Sequence, residues 1–355
     1  MYNINMRKFL CVFISTLILL CSLCFMGCKE SYHSYSATYF NTQVLVQVKS
    51  KNFDNSLKEE IDKVLEETDN SLSINKQSSH VFKFNSSQAG DIETDAIFID
   101  VLKKSKELNA LTLGKYNPAV YPISRLWKLS ADTYLPTTIL VEKPSESDII
   151  SALDSANAFN EISFENTLVK KPNNNLKLDF GGIAKGYAVD KIKNILSAQN
   201  FSQGYVNVGG SSIFVIGVEE DLKIMHPRKS GEHALSVKGE TLKGKSLSTS
   251  GDYVRFYKDE TGKYYSHIID TLTGAPIDTG FQSITVIGDS ACDTDAISTA
   301  IASMNKAQFI EFVNATLTQY KIFAFYEKND EKLFITNEKQ DNFTLLDESY
   351  SIFNI

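Results

Sequence analysis

LDFGGIAKGYAVDKI, residues 178–192, joins an alternating apolar run to a helical one through two adjacent glycines. Leu176, Leu178 and Phe180 share one face of an expected strand over 176–180. Ala184, Ala188, Ile192, Ile195 and Leu196 form the buried stripe of the helix that follows. Gly181 and Gly182 make the turn, Asp179 ends the strand and Lys185 falls in the first helical turn. Such a junction lets backbone N–H groups and the positive end of a helix dipole approach an anion. The spacing is neither GxxxxGK[ST] nor GxGxxG. A lysine in the first helical turn opposes the helix dipole. That mismatch suits a lysine facing a phosphate or another anion, against the ordinary alternative of a solvated surface side chain.

Around this stretch the 355-residue chain reads as one α+β domain. A hydrophobic share of 43% supports a sizeable core, and a formal net charge of −7 without a basic stripe argues against nucleic-acid binding. Strands are expected at 42–48, 162–169, 204–208, 212–218, 234–238, 245–249, 264–270, 281–288, 321–327 and 332–336, besides 176–180. Helices are expected at 53–73 with Asp54 as cap, 93–111 ended by Gly114, from 143 to 156, at 293–304 and at 306–319. Gly262 marks a hairpin in DETGKYY, 259–265. Regular βαβ alternation is absent, so the sheet should be mixed and mostly antiparallel with flanking helices, and a doubly wound parallel sheet is disfavoured.

Arg7 and Lys8 precede an uncharged apolar run from Phe9 to Met26, then Gly27, Cys28 and the polar KESYHSYSA. This reads as an export signal over 1–27 whose Cys28 is lipidated, followed by a tether over 28–37 and a catalytic domain over 38–355. A retained membrane helix is the alternative. Either way the folded part lies outside the cytoplasm, at the outer face of the cytoplasmic membrane. Four of the five cysteines fall in the targeting segment, leaving Cys292 as a small core residue and no possible intrachain disulfide.

Two further stretches carry chemistry. HIIDTLTGAPID, 267–278, puts His267 where a strand meets a loop, and an imidazole suits proton abstraction near neutral pH. A half-buried strand histidine bonded to its neighbours is the commoner fate. CDTDAISTAIASM, 292–304, sets Asp295 and Thr299 four apart on one helical face, hard oxygen donors suited to Mg²⁺. Asp293 or Asp295 could instead cap the helix.

Taken in order, DFGGIAKGYAVD, NVGGS (207–211), TSGDY (249–253), HIIDTLTGAP and TDAIST resemble the ApbE family of FAD:protein FMN transferases. GKYNPAVYPISRLW (114–127) and SSHVFKFN (78–85) extend the resemblance from about Thr38 to about residue 325. It implies an exported Mg²⁺-dependent enzyme that cleaves FAD, joins FMN by a phosphoester to a threonine or serine of a target flavoprotein, and releases AMP. It assigns Asp295, Ser298, Thr299 and the Gly182 carbonyl to the metal. Phe40, Ser79, Tyr116, Asn117, Pro118, Asp179, Lys185 and Ile269 are assigned to FAD, and His267 is the general base. Asn117 stands where many members have aspartate, His80 where an acid is common, and Phe40 where methionine is common. Acceptors implied are redox-complex subunits of the Rnf or Nqr type or other exported flavoproteins. A Mg²⁺-dependent FAD pyrophosphatase and a non-catalytic FAD-binding lipoprotein are the rival readings.

Overall fold

The computed structural model describes residues 30–51, 53–134 and 143–355. Among them, nine strands form one sheet whose spatial order follows the chain: β1 (Ser31–Tyr39), β2 (Thr42–Ser50), β3 (Gly204–Val208), β4 (Ser212–Gly217), β5 (Lys245–Gly251), β6 (Phe281–Gly288), β7 (Lys321–Lys328), β8 (Glu331–Thr336) and β9 (Ser351–Asn354). Every neighbouring pair is antiparallel except β8 with β9. The helices that matter for the site are α1 (Asn55–Leu72), α2 (Ala96–Leu111), α3 (Ala184–Ser197) and α4 (Ala291–Ala302).

Alternation in TQVLVQV sends Val44, Val46 and Val48 to one face of β2, where they pack on Leu57, Ile61 and Leu65 of α1 and on Val189 and Ile192 of α3. At the centre of the sheet β6 is buried along its whole length. Ile284 and Val286 meet Ile297 and Ile301 of α4 on one side. Ile287 meets Phe323, Phe325 and Phe334 on the other, beneath a small sheet of Leu222–Met225, His233–Val237 and Phe343–Leu345. Helices on one face and a second sheet on the other explain why β6 is buried on both faces, its polar Gln282, Ser283 and Thr285 included. The fold is the expected α+β architecture.

Local departures have physical causes. Residues 31–37, expected as tether, belong to β1; this strand is polar on both faces because it is an edge, half or fully exposed throughout. The expected strand 162–169 is a hairpin, Ser163–Glu165 with Leu168–Lys171. The strand expected at 264–270 breaks at His267 and Ile268 into Tyr264–Ser266 and Ile269–Asp270, each with a different partner. The expected strand 176–180 joins no ladder. Its apolar alternation is real, with Leu176, Leu178 and Phe180 fully buried. Side chains take its backbone groups instead: the Asn85 carboxamide accepts from Leu178 N (2.7 Å) and donates to Leu178 O (2.8 Å), and Ser155 Oγ accepts from Lys177 N (3.2 Å).

Candidate active site

The Asp179–Gly186 turn is held from both sides. Asp179 N donates to Pro118 O (2.8 Å), and the Asp179 carboxylate accepts from Gly181 N (2.7 Å). Burial pushes that carboxyl up from its ordinary value, against the hydrogen bond from Gly181. No side chain of its own segment caps α3, whose N-cap is Ile183. Asp295 of α4 does so from outside: its Oδ2 accepts from Gly186 N at 3.1 Å. Asp190 of α3 returns the bond, accepting from Ala291 N (2.8 Å), Cys292 N (2.9 Å) and Ser290 Oγ (2.8 Å) at the start of α4. Two helix N-termini thus cap one another through one carboxylate each. Gly186 permits the approach, since a Cβ there would collide with the Ala291 carbonyl.

Asp295 therefore caps the neighbouring helix, not its own, whose N-cap is Ser290. Asp293 pairs with Lys104 (2.7 Å). Thr299 Oγ1 would lie 3.7 Å from a Cβ on Gly182, so the glycine turn and α4 meet directly. Ser298 and Thr299 both donate to Asp295 O (3.0 and 3.2 Å). Ser250 Oγ, at the end of β5, lies 2.8 Å from Ser298 Oγ and 3.1 Å from Thr299 Oγ1. Lys185 folds over this cluster, donating to Gly181 O (2.8 Å) with its Nζ 3.7 Å from Asp295 Oδ2. Among the described residues no group of three or more His, Cys, Asp or Glu side chains could hold a metal; the donors here are one carboxylate, hydroxyls and carbonyls.

Asp179, Gly181, Gly182, Lys185, Ser250, Asp295 and Thr299 line one cleft of about 1120 Å³, and Ser298, fully buried, lies outside that lining. His267, half-buried in the break between its two short strands, faces it. Its Nδ1 lies 3.1 Å from Arg255 O, which also accepts from His267 N (3.0 Å). A carbonyl only accepts, so Nδ1 carries the hydrogen and Nε2 of the neutral ring is left as the acceptor. Burial, and then the charge of Arg255, bring the imidazole down to about 3, so it is neutral through the physiological range.

Most residues assigned to the nucleotide join the same wall. Phe40 and Asn41 turn β1 into β2 with φ of 54° and 57°, the pattern of a two-residue hairpin turn. A phenylalanine in that conformation is uncommon, and the turn sets Phe40 at the rim. Tyr116, Asn117, Pro118 and Ile269 also line the cleft. Tyr116 hydrogen-bonds Ser105 Oγ (3.3 Å) and burial pushes its phenol well up. Asn117 accepts from Ala119 N (2.9 Å) and donates to Ala156 O (2.9 Å), so its polar atoms serve the main chain. Ser79 lies outside the lining. It is fully buried, caps helix His80–Ser86 through Phe82 N (3.0 Å) and donates to Ser73 O (2.6 Å), steadying Ser73–Asn75, which do line the cleft. His80 is likewise outside, its Nε2 3.7 Å from Asp95 Oδ2. Cys292 is a buried free thiol raised well above its ordinary value by burial. Cys28 and the targeting segment fall outside the described residues.

The residue reading did not single out Ser250, Lys115, Arg228 or Arg255, all in the cleft wall. Ser250 and Lys115 carried a signal, being inside TSGDY and GKYNPAVYPISRLW; the two arginines stand in no pattern that marks them. Lys115 Nζ donates to Asp270 Oδ1 (3.0 Å), and Thr271 Oγ1 to Gly114 O (2.7 Å), fastening the His267–Thr271 segment to the 114–118 segment.

Comparison with known proteins places the chain among relatives of one kind. The model of the ApbE family matches residues 37–324. The FAD:protein FMN transferase of Klebsiella pneumoniae is 24% identical over 327 residues, covering 91% of this chain and 97% of that protein. The FAD:protein FMN transferase of Vibrio cholerae is 28% identical over 313 residues, with 85% and 89% covered. The solved flavin transferase ApbE from Vibrio cholerae superposes with a TM-score of 0.71 at 22% identity, covering 86% of this chain and 97% of that one. The ApbE protein from Thermotoga maritima superposes with a TM-score of 0.71 at 25% identity, with 83% and 94% covered. With its motifs converging on a single cleft and the family model spanning most of its length, this chain belongs to the ApbE family.

Proposed function

We propose that this chain is an FAD:protein FMN transferase that breaks the FAD diphosphate and attaches FMN to a serine or threonine of a flavoprotein. The observation that carries the reading is the meeting of Gly182 with Thr299, and of Lys185 with Asp295, in a cleft that also holds His267. A volume of about 1120 Å³ exceeds the roughly 300–1,000 Å³ of common small-molecule sites, as a dinucleotide requires.

The donor chemistry fits Mg²⁺. Asp295, Thr299, Ser298 and the Gly182 carbonyl offer only hard oxygens, with a hydroxyl cluster rather than a carboxylate cage. Bound there, the ion would neutralise charge on substrate phosphate oxygens. Lys185 adds a positive charge at the start of α3, whose N–H groups favour an anion. His267 Nε2 receives the acceptor hydroxyl's proton, the hydroxyl oxygen attacks the phosphorus of the FMN half, and AMP leaves with the bridging oxygen. A diphosphate beside His267 offsets the burial and the Arg255 charge that hold the imidazole down, raising its basicity when substrate is present. The wall at Phe40, Tyr116, Pro118 and Ile269 supplies apolar surface for the rings.

The acceptors are proposed to be Rnf- or Nqr-type subunits or other exported flavoproteins, with the enzyme anchored through lipidated Cys28 at the outer face of the cytoplasmic membrane. Among the described residues no helix is long and apolar enough to cross a membrane. Mass spectrometry of the mature N-terminus tests the anchor: a diacylated Cys28 supports it, and an intact residue 1 refutes it. The activity is tested with FAD, Mg²⁺ and an acceptor subunit. Flavin fluorescence that stays on the acceptor through a denaturing gel is expected; free FMN alone would mark a pyrophosphatase, and intact bound FAD a carrier.

A further inference from the structure

Two arginines stand in the cleft wall, and they differ in how their charge is met. Arg228 is saturated by a bidentate pair with Asp252, 2.7 Å on both arms. Arg255 has no carboxylate in ion-pair range among the described residues; the one hydrogen bond of its guanidinium there runs from Nη1 to Leu129 O at 3.3 Å. Yet it is half-buried in the same cleft wall as Asp179 and His267, and its charge reaches both of them. A half-buried guanidinium with most of its five donors unmet is costly, and an anion in the cleft would meet them. The guanidinium fork matches phosphate oxygens two at a time, which an ammonium cannot do.

We infer that Arg255 is a catalytic residue of the transfer, its guanidinium clamping the substrate diphosphate together with Lys185 while its carbonyl orients His267. This rests on the transferase reading for the reaction but not for the anion. One residue thereby couples the two halves of the step. Its main chain fixes the His267 hydrogen on Nδ1, so Nε2 takes the hydroxyl proton. Its side chain stabilises negative charge as the bond from the FMN phosphorus to the bridging oxygen breaks and AMP departs with the electron pair. Side-chain substitution removes the second role and leaves the first, because the carbonyl remains.

The test uses the mature chain with Arg255→Ala and Arg255→Gln, the latter keeping part of the stem and an uncharged N–H donor should the alanine variant melt early. Affinity is read for inorganic pyrophosphate, as a competitor of FAD, and for riboflavin, which has no phosphate. Removing charge-assisted hydrogen bonds should weaken pyrophosphate roughly ten- to hundredfold and leave riboflavin within about twofold. Pyrophosphate affinity unchanged in both variants, or riboflavin weakened equally, overturns the inference. Transfer is read in parallel: kcat should fall along with diphosphate affinity. A parent enzyme that binds pyrophosphate through Arg255 but leaves FAD intact would defeat the transferase reading while keeping the clamp.

Discussion

Gly186→Ala probes the junction on which the site depends, and the structure fixes the sign of its effect. In an exposed helix interior this change stabilises by about 1 kcal/mol. Here the added Cβ would strike Ala291 O, Ala291 C and Cys292 Cα, all main-chain atoms that cannot swing aside. Overpacking of that kind costs about 1–3 kcal/mol. Parting α3 from α4 also stretches the bond from Gly186 N to Asp295 (3.1 Å) and those from Ala291 N and Cys292 N to Asp190 (2.8 and 2.9 Å). Each hydrogen bond to a charged group contributes about 1.5–3 kcal/mol. Losing the equivalent of one and subtracting the helix-propensity gain leaves a net destabilisation of about 1.5–5 kcal/mol. Denaturant unfolding of the mature chain should show a lower midpoint at unchanged slope. Because Asp295 is displaced from Gly186 and Lys185, Mg²⁺-supported FAD binding should weaken in the folded variant as well. Stability equal to or above the parent, with FAD affinity intact, would refute the reciprocal-cap account.

Asp190→Ala removes the acceptor of three hydrogen bonds at the start of α4 and should cost about 2–4 kcal/mol in the same unfolding measurement. Asn85→Ala orphans both Leu178 N and Leu178 O, so a loss of about 2–4 kcal/mol is expected, and hydrogen exchange should quicken at Leu178. His267 is held down to about 3 in the folded state, against an ordinary value near 6.5, so its neutral form contributes stability that is complete above pH 6.5 and lost as pH falls toward 3. His267→Gln should flatten that part of the stability–pH curve; an unchanged acid limb would contradict it. His267→Ala should leave FAD binding near the parent's while transfer falls at least a hundredfold. Chelation with EDTA should abolish transfer, and Mg²⁺ should restore it; full transfer in EDTA would remove the ion from the account.

Legibility followed the range of the forces involved. The strand at 42–48, the Asp54 cap and the α3 stripe are local, and each stands as read, save that Ile195 is half-buried. The turn at Gly181–Gly182 was legible because a paired glycine has few ordinary uses in that place. What failed was non-local. Residues 176–180 have a strand's pattern but not its ladder, because the partner is an amide 93 positions away. β1 hid among polar residues because an edge strand has little apolar surface to alternate. Arg255 gave no signal at all, since its meaning lies in the absence, among the described residues, of a counter-ion beside it in the folded cleft. The gathering of Asp295, Thr299 and Gly182 was anticipated by the family resemblance, and spacing alone left Asp295 open as an ordinary cap.

The central claim is that a side-chain oxygen of another protein, rather than water, takes the FMN half of FAD in this cleft. Its direct test is the intact mass of an Rnf- or Nqr-type acceptor subunit after incubation with the mature enzyme, FAD and Mg²⁺, with AMP measured in the same sample. The account predicts an acceptor heavier by one FMN less water, one AMP for each modified chain, and neither product with His267→Ala. Free FMN equal to AMP with the acceptor's mass unchanged would contradict it.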